Sequence, residues 1–250
     1  MRSLPIIYLD ERLVAVNKPA GLLVHRSAID RSETEYAMQI LRDQLGRWVY
    51  PLHRLDKATS GALLFALDRD YAGIMTGIFS RGRVSKTYLA VVRGFTAEQG
   101  SIDHPLKVLQ DRTTDHLAAP DKPAQEAVTD YERLATVEFP YPVGRYATAR
   151  FSLIKAHPRT GRMHQLRRHM KHIFHPIIGD TTYGDGKQNE FFRRELGCRR
   201  LLLHSSEISF PHPATGHPVR ILAHPEPDLR AFLLRLNWDR NITDLLMTSP

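Results

Sequence analysis

Cysteine is nearly absent from this 250-residue sequence, in which Cys198 is the single example. One thiol cannot form a disulfide within the chain, and a zinc ribbon or an iron–sulfur cluster would require several cysteine ligands. We therefore expect neither an internal disulfide nor a cysteine-ligated metal. Cys198 is interpreted as a buried or incidental thiol.

Long apolar runs are also missing. No stretch approaches the roughly 18 apolar residues that a membrane-spanning helix needs. Residues 1–10 contain too short an apolar segment for the core of a signal peptide. Since 42% of the residues are hydrophobic, the chain can still bury a substantial core. We expect a soluble, cytoplasmic protein, monomeric and without a membrane partner.

The sequence lacks a complete nucleotide-binding motif. Gly179–Gly184 has the glycine spacing of a phosphate-binding loop, but Asp185 stands where that motif requires lysine. No dinucleotide fingerprint follows a predicted strand either. The sequence therefore predicts no nucleotide cofactor.

Four histidines lie close together in the basic part of the chain. His169 and His172 are three residues apart, but no carboxylate completes the HExxH pattern of zinc-binding helices. Neighbouring cationic side chains would also repel a divalent cation. We therefore expect no metal and interpret the cluster as phosphate contacts. The four histidines are His164, His169, His172 and His175.

Acidic residues are outnumbered, since 27 Asp and Glu face 35 Lys and Arg and leave a formal charge of +8. Residues 150–200 hold twelve of the basic residues against four acidic ones, a surplus as large as that of the whole chain. A concentrated basic face is typical of nucleic-acid binders, because it attracts phosphates. On charge alone, a solvated charged surface remains an equal alternative.

Short segments rich in β-branched and aromatic residues recur along the chain and predict strands. Segments with helical spacing lie between them at irregular intervals, so a regular βαβ repeat is not supported. We predict an α+β fold with a mostly antiparallel sheet and flanking helices. The predicted strands are Ile6–Leu9, Leu13–Val16, Ala62–Leu67, Thr87–Val92, Ala127–Tyr131, Arg145–Ile154, Leu201–Leu203 and Val219–Leu222. The predicted helices are Glu35–Leu45, Arg69–Phe79, Met163–His172 and Asp228–Leu236.

The segment Pro105–Pro123 is polar and rich in proline, which is typical of a surface loop. We predict a single domain over residues 1–250 that has two lobes, with a boundary near residues 105–123. Internal repeats and low-complexity tracts are not recognisable in the sequence.

The segment His53–Gly61 places one carboxylate, Asp56, among several polar groups just before the apolar strand Ala62–Leu67. A loop residue held by a rigid strand can keep its carboxylate open to a cleft. The structural alternative is an ordinary Asp-Lys turn that small polar residues and Gly61 complete.

The HRLD-x-x-TSG pattern of that segment resembles the signature of the RluA-like family of pseudouridine synthases. Three further segments resemble family motifs in the same order: Asn17–His25, Lys86–Gly94, and Gly161–His169 together with His175–Asp180. The resemblance spans nearly the whole chain. It implies a pseudouridine-synthase-like catalytic domain with a central RNA-binding cleft, and an isomerase that converts uridine to pseudouridine in structured RNA.

The resemblance also implies the catalytic residues. It assigns Asp56 as a covalent nucleophile, a role that suits a carboxylate, and leaves open whether the uracil ring or the sugar C1′ is attacked. It pairs Arg167 with that carboxylate and assigns Tyr88 to stacking on uracil and to proton transfer. By itself, a tyrosine in a strand would be interpreted as a core residue. The reaction is redox-neutral and needs no group donor, so no cofactor is expected.

The target uracil is stacked within folded RNA and must be flipped out before chemistry begins. The resemblance assigns Arg54 to the space that the flipped base vacates. The remaining residues of these motifs are predicted to contact RNA near the cleft. They are His53, Arg162, His164, Gln165, Arg168 and Lys171.

Within the family, the members that act on uridine 65 in the acceptor-side arm of tRNA are the most similar, through Val24–Ser27, Leu134–Glu138 and Gln165–His169. We also expect no separate amino-terminal RNA-binding domain of the kind that several ribosomal-RNA enzymes carry. We expect tRNA as the partner, with ribosomal RNA as the alternative target.

Two other functions remain as alternatives. A catalytically silent RNA-binding or RNA-folding protein could use the same scaffold, although the set of Asp56, Tyr88 and Arg167 favours an enzyme. A metal-dependent nuclease or phosphatase would need clustered carboxylates. Asp68 and Asp70 are close in sequence, but they flank a predicted helix start, where acidic residues are common.

Overall fold

The computed structural model describes residues 3–26, 34–109 and 123–247, which form ten strands in one sheet and six helices. The strands are β1 Ile6–Leu9, β2 Leu13–Lys18, β3 Tyr50–Pro51, β4 Ser60–Ala66, β5 Ser85–Arg93, β6 Gln99–Asp103, β7 Val128–Phe139, β8 Ala149–Pro158, β9 Leu203–Pro211 and β10 Pro218–Leu222. The helices are α1 Ala37–Leu45, α2 Arg69–Ser80, α3 Gln165–His172, α4 Gly186–Arg194, α5 Pro227–Arg235 and α6 Thr243–Met247.

The main path of the sheet runs β1-β2-β4-β9-β5-β8-β7-β6, with β10 paired to β9 and β3 paired to β4. β4 and β9 are parallel, and the other strand pairs in the described residues are antiparallel. The predicted α+β class with a mostly antiparallel sheet is therefore confirmed.

Strand β9 comes from late in the chain and inserts between β4 and β5. Ser205 pairs with Gly61 on one side and with Tyr88 on the other. Two strand spacings separate Gly61 from Tyr88, so the two motifs lie about 10 Å apart across the sheet. This insertion brings together segments that are far apart in sequence.

Alternating strand residues point to opposite faces of the sheet, and both faces are covered. Tyr88, Ala90 and Val92 of β5 pack in a core that includes α1 and α3. Leu89 and Val91 of the same strand pack in a core with α4, α5 and α6. A third core joins α2 to β2 and β4. The cleft described below lies on the face that α3 covers.

Acidic residues cap two of the helices. The carboxylate of Asp68 accepts a hydrogen bond from the Tyr71 N–H at the start of α2, and it forms an ion pair with Arg12. Asp185 accepts hydrogen bonds from two N–H groups at the start of α4. Since Asp68 has these structural partners, it adds no support to the nuclease hypothesis.

Several elements were not predicted from the sequence. β3, β6, α4 and α6 are present in the structure but absent from the sequence-based assignment. β6 lies at the edge of the sheet and has the sequence QGSID, which contains no apolar run. Its pairing with β7, rather than local propensity, makes it a strand.

Most of the predicted loop 105–123 lies outside the described residues, as does Ser27. Of that loop, Leu106 is buried and forms a bridge with Gln125. Strands from before and after the loop pair within one sheet, and the proposed lobe boundary stays a prediction. Within residues 3–26, 34–109 and 123–247, no helix has both the length and the apolar character needed to cross a bilayer.

Candidate active site

A cleft of about 390 Å³ lies where the loop before β4 meets the start of β5, the end of β8 and the start of α3. This volume is within the range of small-molecule pockets, roughly 300–1,000 Å³. The residues of the sequence motifs that line the cleft include His53, Arg54, Asp56, Lys86, Tyr88, Arg162, His164, Gln165 and Arg167.

Asp56 and Arg167 meet in this cleft although 111 positions separate them in sequence. The Arg167 Nη1 atom donates a hydrogen bond of 3.0 Å to Asp56 Oδ2. The Arg167 Nε and Nη2 atoms donate to the two oxygens of Asp180, at 2.7 and 2.9 Å. The predicted contact between Asp56 and Arg167 is thus confirmed, and Asp180 fixes the orientation of the guanidinium by a bidentate pair.

Of the two carboxylates that pair with Arg167, that of Asp56 remains accessible to solvent. The side chain of Asp180 is fully buried and that of Arg167 is 9% exposed, whereas that of Asp56 is 27% exposed. Burial acts to lower the pKa of Arg167, but the Asp180 and Asp56 carboxylates outweigh this effect and raise its pKa. Arg167 is therefore a permanent cation. The Asp56 carboxylate beside it is exposed enough to contact a ligand.

His164 lies on the other side of the same carboxylate. Its Nε2 atom is 3.7 Å from Asp56 Oδ1, and its Nδ1 atom is 3.1 Å from the Tyr183 hydroxyl. Burial lowers the pKa of His164, and the neighbouring Arg167 adds to this, while Asp56 opposes it. The net effect favours the neutral imidazole.

Tyr88 forms part of the buried wall of the cleft. Burial raises the pKa of its hydroxyl to about 12, the charge of Asp56 adds to the rise, and a hydrogen bond from Ser205 opposes it. The hydroxyl therefore keeps its proton at neutral pH. Tyr88 and Asp56, two of the predicted catalytic residues, line the same cavity.

A buried lysine supports the loop that carries Asp56. The side chain of Lys18 is completely buried, and its ammonium donates to the backbone carbonyls of Leu22 and Lys57, at 2.8 and 3.3 Å. The Gly21 N–H also donates to the Lys57 carbonyl, at 2.8 Å. The amino-terminal motif thus holds the residue next to Asp56 in place.

The end of the HRLD-x-x-TSG motif fixes the loop to strand β9. A Cβ atom on Gly61 would lie 2.1 Å from the Ser205 backbone oxygen, and Gly61 has φ +112°, so only glycine fits. The Ser60 hydroxyl bonds to His204 Nδ1 at 2.8 Å, and Arg200 donates to the Ser60 oxygen at 2.6 Å. This part of the motif is structural.

Of the predicted RNA-binding residues, Arg54 and Arg162 line the cleft, and Arg168 and Lys171 lie on the adjoining helix α3; together they are called the rim. Arg54 is exposed, and its side chain has no hydrogen bond or ion pair with another described residue. Arg162 is exposed and donates to the Glu126 carbonyl. Arg168 is half-buried, and the exposed Lys171 places its ammonium 5.9 Å from the Tyr183 ring centroid. These side chains make the rim cationic.

His53 and Gln165 are bonded within the protein. His53 Nε2 accepts a hydrogen bond from the Leu64 N–H, and the ring stacks on Phe79. Burial and the Lys86 ammonium lower the pKa of His53 to about 3. The buried Gln165 amide bonds to Val128 and Thr129 on one side and to Thr160 on the other. A contact with RNA by Gln165 would have to displace these bonds.

The predicted phosphate contact is wrong for His169. Its ring is completely buried, with Nδ1 3.0 Å from the Thr129 hydroxyl and Nε2 3.0 Å from the His104 carbonyl. Both ring nitrogens are used, so neither can reach a phosphate. His172 stacks instead on the ring of His104. The described ranges contain no group of three or more His, Cys, Asp or Glu side chains placed to hold a metal ion.

Helix α3 begins at Gln165, two residues later than the predicted start at Met163. His164 has left-handed backbone angles, with φ 55°, and the Gln165 side chain accepts a hydrogen bond from the Arg162 N–H. Met163 therefore lies outside the helix and is 42% exposed. Leu166 and Met170 are buried and anchor the helix in the core.

Sequence reasoning assigned no role to Asp180, Tyr183 or Lys18. Asp180 and Tyr183 lie in the loop after α3, where Asp180 also accepts hydrogen bonds from the Thr182 and Tyr183 N–H groups. Arg167 lies over the Tyr183 ring at 5.1 Å. The only sequence signal was that these residues belong to, or follow, a recognised motif.

Comparison with known proteins finds chains that are similar to this one. The RNA pseudouridylate synthase family matches residues 12–172. The tRNA pseudouridine synthase C of Haemophilus ducreyi is 52% identical over 236 residues, which cover 94% of this chain and 97% of that protein.

Two solved human structures are also similar. RNA Pseudouridylate Synthase Domain Containing 4 matches with a TM-score of 0.72 and 25% identity, over 94% of both chains. RNA Pseudouridylate Synthase Domain Containing 1 matches with a TM-score of 0.69 and 26% identity, over 99% of this chain and 96% of the human one. The sequence motifs, the sheet topology and these similarities give one conclusion: the chain belongs to the RNA pseudouridylate synthase family.

Proposed function

We propose that this protein isomerises uridine to pseudouridine in tRNA, at position 65, with Asp56 as the nucleophile. The observation that carries the proposal is the accessible Asp56 carboxylate, which Arg167 holds in a cleft lined by Tyr88. The identity of 52% with an enzyme named tRNA pseudouridine synthase C supports tRNA as the substrate class.

Substrate binding begins with the flipping of the target nucleotide into the cleft, since a stacked uracil would not reach Asp56. Arg54 is exposed at the cleft and can take the space that the base leaves. The cationic rim formed by Arg162, Arg168 and Lys171 contacts the neighbouring phosphates, which favours binding of the RNA backbone.

The chemical step breaks the N1–C1′ bond of uridine, forms a C5–C1′ bond and moves a proton from C5 to N1. The charged Asp56 carboxylate forms a transient covalent bond to the nucleotide and later departs. Arg167 orients this carboxylate through its 3.0 Å hydrogen bond. Both alternatives for the attacked atom, in the uracil ring or at C1′, use the same position of Asp56.

The C5 proton has to leave after the new carbon–carbon bond forms. The Tyr88 hydroxyl carries a proton at neutral pH, because burial raises its pKa to about 12. It can relay the proton, while its ring forms an apolar wall against which uracil stacks. Each of these steps is redox-neutral.

The proposal is tested by mapping pseudouridine in total RNA from cells with and without the gene, and in tRNA transcripts incubated with the purified protein. We expect one pseudouridine, at position 65 of tRNA, that depends on the gene in cells. The purified protein should form the same pseudouridine in the transcripts. A modified position in ribosomal RNA would replace the proposed target. Modification of neither RNA by a folded, RNA-binding protein would favour the silent RNA-binding alternative.

A further inference from the structure

A second groove lies at the other end of α3 from the catalytic cleft. It has a volume of about 580 Å³, and Phe95, Tyr146 and Phe174 line it together with Arg93 and Arg150. Three of the five large aromatic side chains that are exposed among the described residues lie here. Exposed aromatic groups concentrated at one place are typical of a binding surface.

The ring of Phe174 is held in an exposed position by its backbone. Phe174 has φ 63°, which residues other than glycine seldom adopt, and the residue is 77% exposed. Its N–H donates to the Lys171 carbonyl, and its own carbonyl accepts a hydrogen bond from Arg93, both at 3.0 Å. Arg93 is in turn fixed by Asp185 at 2.7 Å. The ring is therefore presented on a rigid support.

Cationic groups surround the aromatic rings. The Arg145 guanidinium lies 5.1 Å from the Tyr146 ring centroid, and that of Arg150 lies 5.4 Å from the Phe95 centroid. Arg150 is paired with Glu138. Arg145 and Lys187 have no acidic partner among the described residues, and Lys187 packs against Gly144, next to Arg145. The groove thus has positive charge in its lining, from Arg93 and Arg150, and beside it, from Arg145 and Lys187.

The outer side of α3 connects this groove to the catalytic cleft. Arg167 lies in the first turn of the helix and Phe174 lies just after its end. The eight residues of α3 span about 12 Å. Arg168 and Lys171 are three residues apart, so they lie on one side of the helix. A single phosphate backbone can follow these cations from one site to the other.

We propose that the groove binds an unpaired nucleotide of the same RNA substrate, with its base stacked on Phe174 or Tyr146 and its phosphates at Arg145 and Lys187. Aromatic rings interleaved with arginines are the usual platform for single-stranded nucleotides. A protein partner could use the apolar area alone, but it would leave the unpaired cations without a role. The inference rests on the proposed function, because it takes the RNA substrate as the ligand.

The test compares Phe174→Asn with Phe174→Trp. Asparagine tolerates left-handed backbone but removes the ring, whereas tryptophan keeps a stacking surface. The matched control is Trp48→Ala, since Trp48 is 66% exposed and has the Arg42 guanidinium 5.0 Å from its ring, away from both sites. Thermal unfolding of each variant confirms that it is folded.

Two measurements are made with a tRNA transcript: the Kd by fluorescence anisotropy, and the kcat and KM for pseudouridine formation. For Phe174→Asn we expect Kd and KM to rise about tenfold, the effect of removing one base stack. The kcat should stay within about twofold, because the interaction is the same in the ground and transition states. Phe174→Trp and Trp48→Ala should resemble the parent protein.

The double variant Arg145→Gln and Lys187→Gln should reduce the slope of log Kd against log salt by about one for each phosphate that these side chains bind. An unchanged Kd and KM in Phe174→Asn, with normal activity of the parent, would overturn the inference and leave the groove to a protein partner. A parent protein that modifies no tRNA, while Phe174→Asn still weakens tRNA binding, would refute the proposed function and support the groove.

Discussion

The two ends of helix α3 use arginine in opposite ways. Near its start, Arg167 is buried and bonds to two carboxylates, one of them completely enclosed. Beyond its end, Arg145 and Arg150 lie on exposed aromatic rings. Chemistry needs a charge that is fixed in position and shielded from water, whereas RNA binding needs charges that remain accessible. The difference between the two regions is therefore one of burial rather than of residue type.

The largest expected effect is in the cleft. Asp56→Asn keeps the shape of the side chain but removes the nucleophilic charge, so pseudouridine formation should fall by at least about 10³-fold. Binding of tRNA should change little, because the cationic rim is intact. The measurement is single-turnover pseudouridine formation together with the Kd for the transcript.

Back-hydrolysis of the introduced asparagine to aspartate must be excluded by mass spectrometry of the variant. Activity near that of the parent, in protein shown to contain asparagine at this position, would remove Asp56 as the nucleophile.

Substitutions of Arg167 test whether a charge fixed in position distinguishes the cleft from the groove at the other end of α3. Arg167→Ala removes the cation and the 3.0 Å hydrogen bond that orient the Asp56 carboxylate, so the rate of pseudouridine formation should fall. Arg167→Lys keeps the charge but loses the bidentate fork to Asp180, so it should retain part of the activity. An alanine variant with the parent rate would reduce Arg167 to one more phosphate contact.

Substitutions at Asp180 and Glu138 compare a buried ion pair with an exposed one, since Asp180 pairs with Arg167 and Glu138 pairs with Arg150. Asp180→Asn leaves Arg167 with one carboxylate in a buried site and should lower the free energy of unfolding by roughly 3–5 kcal/mol. Glu138→Gln breaks the exposed pair with Arg150 and should cost less than about 1 kcal/mol. Urea unfolding at pH 7 measures both, and equal costs would contradict the comparison.

The contribution of the Arg167–Asp180 pair to the free energy of unfolding depends on pH. Burial acts to raise the pKa of Asp180, but hydrogen bonds from Arg167 and from the Tyr183 N–H outweigh it and leave the pKa below its ordinary value of 3.8. Its contribution to stability is thus present above pH 3.8 and is lost as the pH falls through the lowered folded value. The parent should lose this increment in acid, and Asp180→Asn should not.

The smallest effect is expected at the surface of α4. Arg193 and Arg194 are exposed, and Arg194 forms an exposed pair with Glu190 at 3.4 Å. If they touch RNA, charge reversal at both should lower the slope of log affinity against log salt by about one per bound phosphate. The slope measured for a labelled tRNA decides this, and an unchanged slope and affinity would make them solvated surface.

Much of the site could be predicted because the motifs are local. The segment containing Asp56 precedes a strand of seven buried residues, and the apolar pattern of that strand is visible in the sequence. The contact between Asp56 and Arg167 followed from the family resemblance and is confirmed at 3.0 Å. The roles of these residues in catalysis stay predictions until the variants are measured.

Other parts of the site could not be predicted, because non-local packing determines them. The amino-terminal motif was recognised, but its buried Lys18 showed no sign of supporting the loop of Asp56 through the Lys57 carbonyl. Gln165 and His169 lie in a basic, polar segment that suggested RNA contacts. Both side chains instead bond to Thr129 of β7, which only the folded sheet brings near them.

By itself, the sequence determined the strands and helices with clear periodicity, the order of the motifs and the basic surplus of residues 150–200. These properties depend on local patterns of apolar and charged residues. The tertiary structure alone decided the insertion of β9 between β4 and β5. The tertiary structure also decided that Arg167 is buried and that Phe174 is exposed. The physical reason is that burial and ion pairing arise from contacts between segments that are distant in sequence. These contacts form only when β9 pairs with β4 and β5 in the sheet.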